Sequence, residues 1–306
     1  MKDFTVEELK KAFEEQAYIL EQDTVVTVFL ALKLEKPLLV EGPPGVGKTE
    51  IAKALSRIFQ AELIRLQCYE GLDENKALYE WNYQRQLIRI QLGKAEEGGD
   101  ITEEDLFSET YLLERPLLKA IRTENKPVLL IDEIDKTDEE FEAFLFEILS
   151  DFQISIPELG TIKAKQIPIV VLTSNAERDL SDGLKRRCVY LYLDYPSIEK
   201  ELRIIRARVP GVGEQLSREV AQAVNYLRTG IELKKKPSIS ETLDWAKALV
   251  YMDADRLDPA LVESTINVLL KNKEDLDIYR QELGAAGLLS AMRSPDCSCR
   301  HKHRRD

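Results

Sequence analysis

Apolar residues recur every three to four positions in the first 34 residues, which is the spacing of amphipathic helices. We therefore predict helices over 6–20 and 25–34. A short apolar run at 37–40 predicts a buried strand, and the helical spacing returns over 50–59. Strand, loop and helix in this order are typical of an α/β unit.

Further short apolar runs predict a sheet of several strands. The stretch 78–92 has no clear pattern, but strands that alternate with helices elsewhere predict a parallel sheet with right-handed crossovers. Strands are expected at 63–66, 128–131, 167–172 and 189–193, helices at 116–122 and 138–149, and an alternating hairpin at 153–156 and 160–163.

Beyond residue 195 the pattern becomes helical. Helix-like spacing covers 199–207, 214–227, 240–252 and 259–270, and no strong strand pattern remains. We therefore predict an α/β domain with N-terminal helices over 1–195, a smaller all-helical domain over 196–285, and a flexible tail over 286–306.

Composition favours a folded chain in an aqueous, reducing compartment. Of the 306 residues, 44% are hydrophobic and 32% are charged, and no apolar run approaches the roughly 18 residues of a membrane span. The N-terminus lacks a basic segment followed by an apolar one, so we expect no secretory signal. The four cysteines, Cys68, Cys188, Cys297 and Cys299, are unevenly spaced, which favours a cytoplasmic location over a disulfide scaffold.

The charge balance disfavours nucleic acid as a partner. The net charge is −12 and the pI is near 5.0, so the chain has no general field that attracts phosphate backbones. The lysine run at 234–236 can contact nucleic acid locally, but a solvated loop is the favoured interpretation.

The glycine-rich stretch after the first predicted strand carries the strongest chemical signal. Its G-x-x-x-x-G-K-T pattern predicts a loop whose backbone N–H groups surround a polyphosphate, with Lys48 at the β- and γ-phosphates and Thr49 at Mg²⁺. A chance glycine turn is the weaker alternative, because the flanking strand and helix both fit. The predicted nucleotide-binding residues are Gly42, Pro43, Pro44, Gly45, Val46, Gly47, Lys48, Thr49 and Glu50, and Thr49 is also a predicted metal ligand.

Two acidic residues end the third predicted strand, at 128–131. Asp132 can hold Mg²⁺ directly or through water, and Glu133 can act as general base on the attacking water. Carboxylates at strand ends and helix starts are common without catalysis, and Asp135 and Asp138 fit that plainer explanation. The glycine loop favours a functional role for Asp132 and Glu133.

Other residues are predicted near the γ-phosphate. Asn175 follows the next strand and can orient the water through its amide, although an asparagine there is often only a turn residue. Arg186 and Arg187 precede the last strand, and either can reach the γ-phosphate of a neighbouring subunit as an arginine finger. A surface salt-bridge cluster is the alternative for these arginines.

In this order the motifs resemble those of AAA+ ATPases. Residues 42–49 resemble Walker A, 129–133 resemble Walker B, Asn175 resembles sensor 1, and Arg187 resembles the arginine finger, with Arg186 the second candidate. The resemblance implies a P-loop NTPase fold, in which helices sandwich a parallel sheet and a smaller all-helical lid domain follows. It also implies ATP and Mg²⁺ as ligands.

The predicted hairpin before the sensor strand is similar to that of the MoxR group. Segments 66–73 and 77–83 further resemble CoxD-like ATPases, which are associated with carbon monoxide dehydrogenase maturation. That resemblance implies a homo-hexameric, chaperone-like motor that works with a von Willebrand factor A domain protein on a metalloenzyme client. Ordinary packing explains Tyr79, Trp81 and Tyr83 equally well.

The lid departs from the MoxR pattern at one position. Many MoxR relatives carry a sensor 2 arginine in a Ser-Pro-Arg pattern, whereas Ser240 takes the last place here and Lys236 is a candidate substitute. The tail holds cysteines and histidines over 297–303 that could form a small zinc site. A tail without metal is favoured, because ligands one residue apart wrap poorly around a tetrahedral ion.

Other classes of protein with a glycine loop stay open. A small-molecule kinase or GTPase shares the loop, but the helical lid with paired arginines favours an assembly. A DNA-associated loader or helicase is disfavoured by the acidic charge. A non-catalytic scaffold is disfavoured because the carboxylates and the sensor residue are all present.

Overall fold

The computed structural model describes residues 4–95, 106–157 and 159–293, and the chain divides into two compact units. The first unit holds the chain up to Gln16 together with Leu20–Gly42 and Lys48–Leu193. The second holds Ala17–Ile19, Pro43–Gly47 and the chain from Asp194 onward.

The strands of the described residues form one large sheet and two antiparallel pairs. The strands are β1 (Leu38–Glu41), β2 (Leu63–Gln67), β3 (Tyr79–Trp81), β4 (Leu112–Glu114), β5 (Val128–Asp132), β6 (Gln153–Ile156), β7 (Gly160–Lys163), β8 (Ile169–Ser174) and β9 (Val189–Tyr192). The large sheet is parallel, with the strand order β2, β5, β8, β1, β9, and helices flank it, which confirms the predicted fold class.

Most helices begin at a side-chain cap. Thr5 starts the first with a capping box, and the chain turns at Ala17 (φ 52°), so this helix ends at Glu15 instead of residue 20. The helices are α1 (Val6–Glu15), α2 (Gln22–Lys33), α3 (Lys48–Ile58), α4 (Glu74–Ala77), α5 (Tyr83–Ala95), α6 (Pro116–Arg122), α7 (Glu139–Asp151), α8 (Asp182–Arg187), α9 (Ile198–Arg208), α10 (Glu214–Thr229), α11 (Ile239–Tyr251), α12 (Pro259–Thr265), α13 (Lys273–Glu282) and α14 (Gly284–Arg293), with short 3₁₀ turns at Glu109–Tyr111, Ile134–Lys136 and Ile266–Val268.

The centre of the large sheet is buried on both faces. Every residue of β5 and β8 is buried, as expected of parallel strands covered by helices on each side. The register pairs Gln67 with Asp132 and Glu41 with Ser174. The polar residues at the carboxyl ends of four strands therefore lie along one edge of the sheet.

The described residues between β2 and α6, which include the mixed stretch 78–92, form the short helix α4, an antiparallel pair, helix α5 and a 3₁₀ turn. β3 pairs with β4, and Trp81 packs edge-on against Phe107 at 5.2 Å between ring centroids. Helix α5 lies largely on the surface and exposes Tyr83, Leu87 and Ile88. Such short strands and an exposed helix leave little periodicity in the sequence.

The second unit has a helical core with a buried ion pair inside it. The Arg228 guanidinium on α10 makes two bonds to the Glu201 carboxylate on α9, at 2.7 and 2.8 Å. It also donates to the Pro237 carbonyl oxygen at 2.7 Å and to the Thr242 hydroxyl on α11 at 3.2 Å. The buried Arg228 side chain thus connects three helices through hydrogen bonds.

Helix α14 extends to Arg293, beyond the predicted start of the tail at residue 286. Leu288, Leu289 and Met292 pack into the helical core, which explains why the chain stays helical there. The predicted tail ligands over 297–303 lie outside the described residues. No helix within the described residues is both long enough and apolar enough to cross a membrane.

Candidate functional site

The glycine-rich loop joins β1 to α3 with a backbone that other residues would strain. Gly45 has φ 76°, and a Cβ added there would lie 2.3 Å from the Ser238 hydroxyl oxygen. A Cβ on Gly42 would lie 2.0 Å from the Leu193 carbonyl oxygen. Glycine is therefore required at both ends of this turn, in agreement with a loop whose backbone faces a ligand.

Lys48 begins α3 and is almost fully buried. Its Nζ donates to the Gly42 carbonyl oxygen at 2.6 Å and to Asn175 Oδ1 at 2.8 Å. Burial lowers the pKa of Lys48 below its usual value, and the nearby carboxylates of Asp135 and Asp132 oppose that shift. A desolvated ammonium in such a place is suited to an anionic ligand.

Thr49 and Asp132, both predicted metal ligands, are in direct contact. The Thr49 hydroxyl donates to Asp132 Oδ1 at 3.0 Å, and the Thr173 hydroxyl donates to the same oxygen at 2.5 Å. The other oxygen, Oδ2, accepts from Arg65 Nε at 3.1 Å and from Arg65 Nη2 at 2.6 Å. The structure thus brings the first turn of α3 and the end of β5 into direct contact.

Glu133, the predicted general base, lies at the same sheet edge in a left-handed backbone conformation (φ 59°). Its N–H donates to the Thr173 hydroxyl at 2.9 Å. The carboxylate accepts from Gln67 Nε2 at 3.1 Å and pairs with Lys136 Nζ at 2.8 Å. Because the side chain is one-third exposed, it can meet a water molecule at this edge.

Asp135 was assigned only a strand-end role from the sequence, but it is buried beneath Asn175. Its Oδ2 accepts from the N–H groups of Asn175 and Glu177, at 3.0 and 3.1 Å. These bonds hold the turn after β8, in which Ala176 has φ 59°. Asp135 therefore sets the position of the predicted sensor residue.

Sequence reasoning also missed the two polar residues of β2. Arg65 contacts Asp132 and Gln67 contacts Glu133, so each carboxylate has a partner on the neighbouring strand. A signal was available, because Arg65 and Gln67 alternate with Ile64 and Leu66 along the strand. Their charge and polarity on one face mark that face as functional or solvated.

The predicted arginine fingers lie at the end of α8, on the surface. Arg187 packs over the Phe146 ring at 4.7 Å and donates to the Ser150 hydroxyl at 2.7 Å, so its guanidinium is held against α7 of its own chain. Arg186 makes no hydrogen bond or ion pair with any residue that the structure describes. Glu50, a predicted nucleotide-binding residue, pairs with Arg57 at 2.7 Å.

The position of the missing sensor 2 arginine is exposed. Ser240 and Lys236 are both exposed in the second unit, whereas Ser238 is buried and caps α11 with Glu241 in a capping box. The side chain nearest to the Cβ position of Gly45 is therefore that of Ser238, the N-cap of α11, and not an arginine.

The donor set fits a magnesium nucleotide. Mg²⁺ prefers hard oxygen ligands and is usually bound through one or two carboxylates together with substrate phosphates. Thr49 Oγ1 and the Asp132 carboxylate supply such oxygens next to Lys48, whose charge suits the phosphates.

Comparison with known proteins agrees with this geometry. Residues 37–188 match the family described as AAA domain (dynein-related subfamily). The chaperone protein ClpB of Bacillus anthracis is 29% identical over 181 residues, which cover 56% of this chain and 18% of that protein. An uncharacterized protein of Staphylococcus epidermidis is 26% identical over 225 residues, covering 71% of this chain and 77% of that protein.

A solved structure supports the same fold. A proline-to-glycine mutant of RuvB from Thermotoga maritima aligns with a TM-score of 0.51 at 18% identity, over 88% of this chain and 74% of that chain. The likeness concerns the fold alone. The chain thus has the P-loop AAA+ fold, and its residues 37–188 match the AAA domain family by sequence. The chain spans less than a fifth of the length of the ClpB protein that it matches.

Proposed function

We propose that this protein binds ATP with Mg²⁺ and hydrolyses it to drive remodelling of a protein client. The observation that carries the proposal is the convergence of Lys48, Thr49, Asp132 and Asn175 through direct hydrogen bonds, from three separate parts of the first unit. In this proposal Lys48 and the loop backbone hold the phosphates, and Thr49 and Asp132 hold Mg²⁺.

The remaining roles follow from position. Glu133 is the general base, because its carboxylate lies next to Asp132 at the carboxyl edge of the sheet. Asn175 positions the water, and its place is maintained by Asp135. Arg187, or Arg186 as second candidate, acts on the site of a neighbouring subunit, which requires a ring assembly that we propose to be a homo-hexamer.

The proposed client work is of the MoxR, CoxD-like type in the cytoplasm. The motif resemblance supports maturation of a metalloenzyme, such as a molybdenum-containing carbon monoxide dehydrogenase, with a von Willebrand factor A domain partner. The similarity to the chaperone ClpB over 56% of this chain supports the broader remodelling activity.

ATP turnover by Glu133→Gln tests the proposed chemistry. We expect the variant to bind ATP normally and to hydrolyse it at least 100-fold more slowly, since an amide cannot accept the proton of water. Glu139→Gln, an exposed glutamate in the first turn of α7, is the matched control and should hydrolyse at the wild-type rate. Wild-type turnover by Glu133→Gln would refute the assignment.

The same assay separates the rival functions. Release of phosphate from ATP without any acceptor argues against a small-molecule kinase. Stimulation of turnover by DNA would favour a loader or helicase over a protein remodeller, and we expect none because of the acidic net charge.

A further inference from the structure

Asp132 is saturated by donors of its own chain. A carboxylate has about four acceptor positions, and Asp132 receives four hydrogen bonds, from Thr49, from Thr173 and two from Arg65. The carboxylate is also almost completely buried. A cation that ligates Asp132 directly must therefore take the place of one of these donors.

Arg65 is the donor best able to leave. It lies on β2, one of the two edge strands of the sheet, and its side chain is 51% exposed, so its guanidinium can move into solvent. Thr173 is buried in the centre of the sheet and Thr49 is fixed in the first turn of α3. Arg65 is also the only one of the three that carries positive charge, so it and a metal ion repel each other at Oδ2.

Resting on the proposed nucleotide function, we propose that Arg65 is a built-in counter-ion of Asp132 that competes with Mg²⁺ for Oδ2. In the described arrangement it neutralises a carboxylate that stands beside Glu133 and Asp135. Its departure frees Oδ2 for the metal that accompanies the nucleotide. Arg65 therefore raises the Mg²⁺ concentration at which the site fills.

The same residue connects the metal ligand to the general base. Arg65 Nη2 also donates to Gln67 Oε1, and this bond directs the Gln67 Nε2 toward Glu133 Oε2 at 3.1 Å. Release of Arg65 from Asp132 removes the constraint on Gln67. Metal binding at Asp132 and the mobility of the Glu133 side chain are consequently linked through Arg65 and Gln67 on β2.

The test compares Arg65→Met with the wild type, using Mn²⁺ as a probe of the metal site. Binding of Mn²⁺ in the presence of ADP is measured by electron paramagnetic resonance, which does not depend on hydrolysis. We expect Mn²⁺ to bind about 5- to 20-fold more tightly to Arg65→Met, since a competing cation has been removed. Arg65→Lys should fall between the two, because it keeps the charge and loses the paired donors.

Controls locate the effect at Asp132. Lys119→Met removes a cation whose side chain is about as exposed as that of Arg65, from an ion pair with Glu62, and should leave Mn²⁺ affinity unchanged. Adding Asp132→Asn to Arg65→Met should abolish the gain. Thermal unfolding of each variant verifies the fold. If Arg65→Met does not fold, the Mn²⁺ affinity of Arg65→Lys is compared with that of the wild type instead.

The possible results separate this inference from the proposed function. Unchanged or weaker Mn²⁺ binding by folded Arg65→Met or Arg65→Lys would overturn the competition while leaving ATP hydrolysis intact as a proposal. Absence of any metal–nucleotide binding by the wild type would refute the proposed function itself, and the inference with it.

Discussion

Lys48 and Asn175 are joined by a hydrogen bond of 2.8 Å between the lysine Nζ and the amide Oδ1, although 127 residues separate them in the chain. The bond connects the start of α3 to the end of β8. Because the amide oxygen faces the lysine, the amide nitrogen is left to donate elsewhere. This orientation is suited to a group that holds a water molecule near the phosphates.

Replacing Asn175 should therefore impair hydrolysis more than binding. We expect Asn175→Ala to lower kcat about 100-fold, comparable to the loss of one oriented donor at a charged transition state. The affinity for ATP should change only a few-fold, because Lys48 retains the Gly42 carbonyl as a partner. Steady-state turnover measures kcat, and a nucleotide-binding titration measures the affinity for ATP. An unchanged kcat would exclude Asn175 from the reaction.

Gly45 and Gly71 provide a matched pair for testing the loop. Both have nearly equal positive φ angles, 76° and 78°, but a Cβ on Gly45 would collide with Ser238 whereas nothing lies within 4 Å at Gly71. We expect Gly71→Ala to cost about 1–2 kcal/mol of unfolding free energy from backbone strain. Gly45→Ala should cost more and should also weaken ATP binding.

A second substitution identifies the collision as the cause. Ser238→Gly introduced into Gly45→Ala should recover part of the lost stability, since glycine costs only a few tenths of a kcal/mol at a helix N-cap. Urea denaturation of the single and double variants gives the comparison. Equal costs for Gly45→Ala and Gly71→Ala would contradict the steric argument.

Removal of one partner from the buried ion pair of Arg228 and Glu201 should strongly destabilise the protein. Arg228→Met leaves the Glu201 carboxylate buried without its partner, so we expect a loss of about 3–5 kcal/mol in unfolding free energy. Combining Arg228→Met with Glu201→Leu should restore most of that loss, because no charge then stays buried. Denaturant unfolding measures both, and a double variant no more stable than Arg228→Met would argue against the ion-pair explanation.

Arg187 and Arg186 can be assigned by mixing inactive subunits. If Arg187 acts on a neighbour's nucleotide, Arg187→Ala should lose about 10³-fold in kcat while it still binds ATP. A mixture of Arg187→Ala with Glu133→Gln should regain part of the activity, because some interfaces then pair an intact arginine with an intact base. A loss of kcat in Arg186→Ala but not in Arg187→Ala would assign the role to Arg186. If neither arginine variant regained activity when mixed with Glu133→Gln, a site shared between subunits would be refuted.

The thiols of Cys68 and Cys188 should be protected from alkylation in the folded protein. Burial, with a further effect of the nearby carboxylates led by Asp132, raises the pKa of Cys68 from 9.0 to about 12. Burial raises the pKa of Cys188 likewise to about 12. At pH 8 each thiolate is thus roughly 1000-fold less populated than in the unfolded chain, and thiolate is the reactive form.

The measurement uses a variant in which Cys297 and Cys299 are replaced by serine, so that only the thiols of Cys68 and Cys188 react. Since both pKa values are higher in the folded state, protonation of these thiols supports the fold fully below pH 9, and this support is lost as the pH rises toward about 12. Alkylation at pH 8 should be slow in the native protein and fast after unfolding. Rapid native reaction would show that the thiols are accessible.

The local elements and their order could be predicted from short segments of the sequence. The glycine loop between an apolar run and a helical pattern, and the carboxylates at the end of 128–132, follow from spacing that each short segment carries alone. Even the hairpin at 153–163 was predicted to the residue, because its alternation is local. The mixed stretch 78–92 was not predictable, since its exposed helix α5 buries little apolar surface.

The side chains that meet at the carboxyl ends of the strands could not be predicted, because their contacts depend on the order of the strands in the sheet. Arg65 reaches Asp132 because the parallel register places β2 beside β5, and no local pattern encodes that register. Asp135 proved to be the support of Asn175 for the same reason, since the two lie on different strand ends. Contacts between distant segments depend on strand order and packing, which arise only when the whole core is buried together.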